Sequence, residues 1–95
     1  MTTEKVTING TDYVLSAITF QQWEDAFYDS QGNSLRRPRT AFVVEASLKN
    51  ANAPENPPSE AIPAGHIMKL LPVVLRISDL ERKDEGEAPA TEGQG

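Results

Sequence analysis

The side chains that could carry out chemistry are few and lie far apart in the sequence. The chain has one histidine and no cysteine among its 95 residues. A helical metal site around His66 would need further ligands three or four residues on, but Lys69 and Leu70 occupy these positions. No nucleophile, phosphate-loop or metal motif is present, and the carboxylates are scattered over predicted surfaces. We therefore expect no catalysis, metal or cofactor, and interpret His66 as a partly exposed residue in a first helical turn.

Aromatic residues at helical spacing form a first candidate surface for binding a partner. Phe20, Trp23 and Phe27 share one face of a predicted short helix, and polar residues occupy the rest of it. Such a set could recognise another protein, yet aromatic residues at this spacing in a small domain more often belong to the core. We favour the core interpretation and keep Trp23 and Phe27 as candidate contact residues.

A basic cluster before the next helix is the second candidate. Arg36, Arg37 and Arg39 surround Pro38, and Phe42 follows on the helix. The arginines could contact phosphate or an acidic partner, but a solvated loop leading into the helix is favoured because no aromatic residue interleaves the cluster. The net charge of -5 also argues against sequence-independent binding of nucleic acid. The three arginines and Phe42 remain candidate protein contacts, and we expect no nucleic-acid partner.

Length and composition predict one small folded domain, residues 1–80, followed by a tail. Hydrophobic residues make up 38% of the chain, enough for a modest core. Residues 81–95 have no hydrophobic stripe and are rich in Glu, Gly and Pro, so we expect an acidic, disordered segment. The start lacks the apolar core of a signal peptide, and no run is long enough to cross a membrane. These features predict a soluble, cytosolic protein without a membrane partner.

The most apolar stretch, residues 67–80, predicts the helix on which the other elements pack. Its apolar residues recur at offsets of three and four, which is one face of a helix: Ile67, Leu70, Leu71, Val74, Ile77 and Leu80. Pro72 lies inside this run and removes one backbone hydrogen bond. We therefore expect a kink, or a short helix that meets a longer one.

Residues 6–15 predict a β-hairpin with a type I′ turn at Asn9–Gly10, because two runs of β-branched and aromatic residues flank this pair. A two-residue loop pairs Ile8 with Thr11 and Val6 with Tyr13, which places the apolar residues on one face. The sequence contains no third strand to cover the two edges, and Val14 lies on the otherwise polar face. The hairpin is therefore also a candidate surface for forming a homo-oligomer.

Two more helices complete a predicted α+β fold that is mainly α. Thr19 to Gln22 has the form of a capping box, which predicts a helix over 20–29. A second apolar stripe predicts a helix over 38–51, and a Pro-rich connector separates it from the last helix, over 64–80. We expect the hairpin to pack on these three helices around a core of nine residues: Ile8, Leu15, Trp23, Phe27, Val44, Leu48, Leu71, Val74 and Ile77.

Three segments, in this order along the chain, carry a likeness to a known family. They are Leu15-Ser-Ala-Ile-Thr-Phe-Gln-Gln-Trp-Glu after the hairpin, Ala46-Ser-Leu-Lys-Asn-Ala51 in the central helix, and Ser78-Asp79-Leu80 at the end of the last helix. With the Pro-rich spacer and the polar tail, this order resembles the small tail assembly chaperones of long-tailed bacteriophages and prophages. The resemblance covers residues 6–90. The final turn departs from the family pattern, because Asp79 stands where a glycine is expected.

The resemblance implies a non-enzymatic role. Proteins of that family coat the long, hydrophobic tape measure protein while the tail tube polymerises around it, and they are absent from the finished virion. The implied partners are the tape measure protein and, in an extended form of the chaperone, the tail tube protein, and the implied location is the host cytoplasm. Two other classes stay open: a small structural protein such as a head–tail connector or tail completion protein, and a small DNA-binding or regulatory module that uses the arginines.

Overall fold

A two-stranded hairpin and three helices form the computed structural model, which describes residues 2–80. The α+β fold with helices dominant is confirmed. The elements in chain order are β1 (Thr3–Ile8), β2 (Thr11–Ser16), α1 (Phe20–Asp25), α2 (Thr40–Ala51), a 3₁₀ turn (Ser59–Ala61) and α3 (Ala64–Ile77). None of these helices is long and apolar enough to cross a membrane. The predicted disorder of residues 81–95 lies outside the described residues.

The hairpin has the predicted register and turn. Val6 pairs with Tyr13 and Ile8 with Thr11 in an antiparallel ladder. Asn9 and Gly10 both have positive φ, 49° and 84°, as a type I′ turn requires at its two central positions. The register turns Ile8, Tyr13 and Leu15 toward the helices, where all three are buried. Local turn chemistry and the alternation of side chains were therefore sufficient to predict this element.

The core lies where β2, α2 and α3 meet. Five of the nine predicted core residues are buried: Ile8, Leu15, Val44, Leu48 and Val74. Trp23, Leu71 and Ile77, which were also predicted to be core residues, are only partly buried and pack against the core. The prediction also omitted five buried hydrophobic residues: Tyr13, Ala26, Val43, Ala46 and Leu70. Helix α2 buries a wider face than one stripe because both the hairpin and α3 cover it.

Helix α3 is one continuous helix, so the expectation of a short helix meeting a longer one is wrong. Pro72 is exposed, so the backbone hydrogen bond that it removes lies toward solvent and not in the core. The helix ends at Ile77 and not at residue 80. Asp79 has φ 61°, and the N–H of Leu80 donates to the carbonyl of Leu75 at 2.8 Å, which is the pattern of a Schellman motif.

The first two helices also differ from their predicted bounds. Helix α1 has the predicted capping box at Thr19, but it has only six residues and ends at Asp25 instead of residue 29. Helix α2 begins at Thr40, because Arg39 has an extended backbone and its N–H donates to the carbonyl of Ala26 at 2.7 Å. Pro38 therefore precedes the helix instead of occupying its first turn. A bond between two distant residues sets this start, and no local pattern reveals it.

Candidate functional site

An open groove lined almost entirely by aromatic side chains lies along α1 and the turn that follows it. Its lining residues are Phe20, Trp23, Glu24, Phe27 and Tyr28, and its volume is about 290 Å³. Phe20 is 74% exposed and Tyr28 is 48% exposed, so large apolar rings are presented to solvent. Aromatic residues are enriched in the parts of protein surfaces that contact other proteins. We name this surface the aromatic groove.

Trp23 and Phe27 form the floor of the aromatic groove. Their ring centres are 5.0 Å apart and the ring planes are nearly perpendicular, at 89°. Trp23 packs against the core on its other side, whereas Phe27 contacts Trp23 without joining the core cluster. The prediction of Phe27 as a core residue is therefore wrong. The physical reason is the early end of α1, since Phe27 lies beyond the helix and no longer follows its apolar stripe.

Hydrogen bonds at the start of α1 fix the position of the groove. At its start, the hydroxyl of Thr19 accepts from the N–H of Gln22, and the side chain of Gln22 accepts from the N–H of Thr19. The Gln22 amide also exchanges hydrogen bonds with Asn50 at the end of α2, at 2.7 and 3.1 Å. Because Gln22 forms hydrogen bonds with both Thr19 and Asn50, the capping box connects the short helix α1 to α2. Such support is needed, because a six-residue helix is not stable by itself.

A tight loop after α1 fixes the position of Tyr28. The N–H of Tyr28 donates to the carbonyl of Asp25 at 3.2 Å, and Tyr28 forms an isolated bridge with Ser34. Asp29 holds this loop closed, because its carboxylate accepts from the backbone N–H groups of Asn33 and Gln31, each at 2.9 Å. These hydrogen bonds lower the pKa of Asp29 below its ordinary value of 3.8, and the bond from the backbone N–H of Asn33 makes the largest contribution.

The three arginines and Phe42, predicted as candidate contacts, do not line the aromatic groove. The guanidinium carbon of Arg39 lies 4.6 Å from the centre of the Phe42 ring, a cation–π arrangement. Arg39 also donates to the carbonyl of Asp25 at 3.3 Å. Arg36 and Arg37 are exposed. The cluster is therefore divided, since Arg39 connects the start of α2 to the end of α1 and the other two face solvent.

His66 lies in the first turn of α3 and is partly buried, as predicted. Its Nδ1 is 2.6 Å from the hydroxyl of Tyr13, and the two rings meet edge to face at 5.8 Å. Tyr13 is buried, which raises its pKa above the ordinary value of 10.0. This pair joins the hairpin to α3. Residues 2–80 contain no group of three His, Cys, Asp or Glu side chains placed to hold a metal ion.

Sequence reasoning missed two residues of the groove, Tyr28 and Glu24, for different reasons. The predicted aromatic face already contains Phe20, but the favoured interpretation of that face as core does not hold for this residue, which is 74% exposed. Tyr28 lies beyond the predicted stripe, and Glu24 was assigned to the polar face. A run of four aromatic residues in nine positions, 20–28, is the signal that could have identified the groove.

Comparison of the chain with protein families, with curated proteins and with solved structures found no match. The functional interpretation therefore depends on the groove and on the order of the elements.

Proposed function

We propose that this protein is a non-catalytic assembly chaperone that reversibly binds an apolar helical segment of its partner in the aromatic groove. The observation that carries the proposal is the exposure of Phe20 and Tyr28 beside Trp23 and Phe27 on a short, well-anchored element. An amphipathic helix binds such a groove by inserting side chains spaced three or four residues apart. Tryptophan and tyrosine are also enriched among the residues that contribute most to binding energy.

The shape and the charge of the protein suit transient binding. The groove is open and supported by a single short helix, so it can cover only a few side chains of a partner at a time. Complete burial of an aromatic side chain covers roughly 150 to 250 Å², and a partner can still cover the exposed fractions of Phe20 and Tyr28, 74% and 48%. The net charge of -5 favours solubility of the protein while it carries an apolar partner. Many copies along one long helix would then each contribute a weak, reversible contact.

The partner that we propose is the tape measure protein of a long-tailed phage or prophage. This identity comes from the likeness in element order between this chain and the tail assembly chaperones. It implies action in the host cytoplasm, a further contact with the tail tube protein, and absence from the finished virion. The aromatic groove supplies a physical means of binding the tape measure protein, because its rings can cover apolar surface on a helix of that protein.

Co-expression with the tape measure protein encoded by the same phage tests the proposal. We expect the tape measure protein to be more soluble in the presence of this chain and to co-purify with it. The double variant Phe20→Ala, Tyr28→Ala should lose both effects, since it removes two exposed rings of the groove. Met68→Ala is the matched control, because Met68 is 62% exposed but lies on α3 outside the groove.

Two results would replace the proposal with one of the other classes. If the tape measure protein is no more soluble and does not co-purify, the chaperone function fails. Detection of this chain in purified virions would then favour a structural subunit. A DNA mobility shift that weakens with salt and with loss of Arg36 and Arg37 would instead favour a DNA-binding module.

A further inference from the structure

The aromatic groove carries one charged side chain, and its position has a chemical consequence. Glu24 lines the groove together with Phe20, Trp23, Phe27 and Tyr28. Glu24 is exposed, and within residues 2–80 its carboxylate forms no ion pair and no side-chain hydrogen bond. By contrast, the neighbouring Asp25 accepts a hydrogen bond from Gln21 at 3.0 Å. A free carboxylate among aromatic faces attracts a cation more strongly than it attracts a purely apolar group.

The aromatic rings contribute in the same direction. The face of an aromatic ring carries negative charge density, so a cation within about 6 Å of the ring centre is attracted to it. Trp23 and Phe27 are perpendicular, with centres 5.0 Å apart, so they present surfaces at a right angle to each other. Proteins recognise quaternary ammonium groups with aromatic faces, and lysine and arginine cations also bind to such faces.

We propose that the aromatic groove binds a lysine or arginine side chain of the partner helix, with the charged end beside Glu24 and the alkyl stem against Trp23 and Phe27. The unpaired carboxylate in the wall selects this occupant over a purely apolar one. The long stems of these residues bury well against aromatic surface while the charge stays near solvent. This inference rests on the proposed function only for the identity of the partner.

The inference predicts which partner segments are bound. An amphipathic helix with apolar residues and one basic residue three or four positions apart would place the apolar residues over Phe20 and Tyr28 and the basic residue beside Glu24. An acidic helix of equal hydrophobicity would be rejected by the same carboxylate. The protein would therefore select among the helical segments of a long partner and not cover all of them equally.

Binding of four small probes to the purified full chain tests the inference at constant ionic strength. The probes are the N-acetyl methylamides of lysine and arginine and those of their neutral counterparts, norleucine and citrulline. Trp23 is the only tryptophan of the chain, so its fluorescence reports on the groove directly. We expect each cationic probe to bind roughly 2- to 30-fold more tightly than its neutral counterpart, the range that cation–π contacts span from exposed to desolvated sites.

Variants separate the two contributions. Glu24→Gln should reduce the preference for the cationic probes, and Glu45→Gln, an exposed glutamate of α2 outside the groove, should leave it unchanged. Phe20→Leu keeps apolar volume but removes an aromatic face, and should also reduce the preference. Equal binding within each pair, or no response to any probe, would overturn the inference. If the cationic probes bind preferentially but co-expression fails, the inference stands and the proposed partner is rejected. If co-expression succeeds but the probes show no cation preference, the proposed partner stands and the inference is rejected.

Discussion

The side-chain amide of Asn56 pairs with both backbone groups of Val14. Its Oδ1 accepts from the N–H of Val14 at 2.7 Å, and its Nδ2 donates to the carbonyl of Val14 at 3.0 Å. These are the two groups of Val14 that face away from β1, because the pairs that exchange hydrogen bonds across the hairpin alternate from Ile8 and Thr11 onward. Asn56, a residue of the Pro-rich connector, therefore takes the place of a third strand at this edge.

Replacement of Asn56 should destabilise the domain. Asn56→Ala leaves the N–H and the carbonyl of Val14 without protein partners in a partly buried place, and we expect a loss of about 1 to 3 kcal/mol in the free energy of unfolding. Urea denaturation measures this loss. Glu55→Ala is the control, because Glu55 is adjacent and exposed, and its change should stay within about 0.5 kcal/mol. Equal stabilities of the two variants would show that water replaces Asn56 without cost.

Two buried serines, Ser16 and Ser47, should respond in opposite ways when each is replaced by alanine. The hydroxyl of Ser47 accepts from the N–H of Ser16 at 2.9 Å and donates to the carbonyl of Ser16, whereas the hydroxyl of Ser16 is buried and has no partner within residues 2–80. Ser47→Ala should therefore cost about 1 to 3 kcal/mol, and Ser16→Ala should be neutral or stabilising. Thermal denaturation of both variants checks this, and a large loss from Ser16→Ala would contradict it.

Elements whose signals are local could be predicted from the sequence. The register of the hairpin follows from Asn9–Gly10 and the alternation of side chains, and the start of α1 follows from the capping box at Thr19. Contacts between distant residues could not be predicted in the same way. Ser47 lies in the predicted second helix and Asn56 in the Pro-rich connector, and no local pattern reveals their hydrogen bonds, because their partners on β2 are 31 and 42 positions away.

For the candidate site too, local signals could be predicted from the sequence and contacts between distant residues could not. The sequence identified Trp23 and Phe27, but it assigned them to the core, since a stripe of aromatic residues does not reveal which of its rings other elements will cover. Phe27 and Tyr28 follow the early end of α1, where the carbonyl of Ala26 accepts from the N–H of the distant Arg39. The composition of residues 20–28 therefore indicates an aromatic surface, but it does not indicate which of the rings are exposed.

Asp79 offers a test of backbone strain at the end of α3. Its φ of 61° lies in the left-handed region, where a residue with a Cβ is strained and glycine is not. Asp79→Gly should therefore be more stable than Asp79→Ala by about 1 kcal/mol, because both remove the carboxylate and only one relieves the strain. Urea midpoints of the two variants measure the difference. A more stable alanine variant would show that the Schellman motif is not retained in solution.

The Asp29 loop should make stability depend on pH in the acid range. Hydrogen bonds hold the folded-state pKa of Asp29 below 3.8, so its contribution is present above pH 3.8 and is lost as pH falls through the lower folded value. Asn in its place cannot gain or lose this charge. The gap in stability between the native protein and Asp29→Asn should therefore be constant near neutral pH and should shrink below about pH 4. The carboxylates of Glu4 and Asp12, whose pKa values are also lowered, titrate in both proteins and cancel. A gap that stays constant down to pH 2 would contradict the assignment.

The outer edge of β1 is the remaining candidate for self-association. Asn56 and Ser47 bond to the outward groups of Val14 and Ser16 on β2, but the outward N–H and carbonyl groups of Thr3, Lys5 and Thr7 have no partner within residues 2–80. Two copies could join these edges in an antiparallel four-stranded sheet, and the charge of Lys5 at the centre of the edge opposes this pairing. We therefore expect a weak, concentration-dependent dimer.

Two substitutions of Lys5 separate the charge from the backbone. Both Lys5→Thr and Lys5→Pro remove the ammonium group and its 3.6 Å contact with Asp12, but only proline also removes the outward N–H. Lys5→Thr should strengthen the dimer, because like charges no longer meet across the edge, and Lys5→Pro should abolish it. Sedimentation equilibrium over the accessible concentration range measures both. If the threonine variant remains a monomer throughout, the β1 edge does not join two copies, and self-association must be sought elsewhere or abandoned.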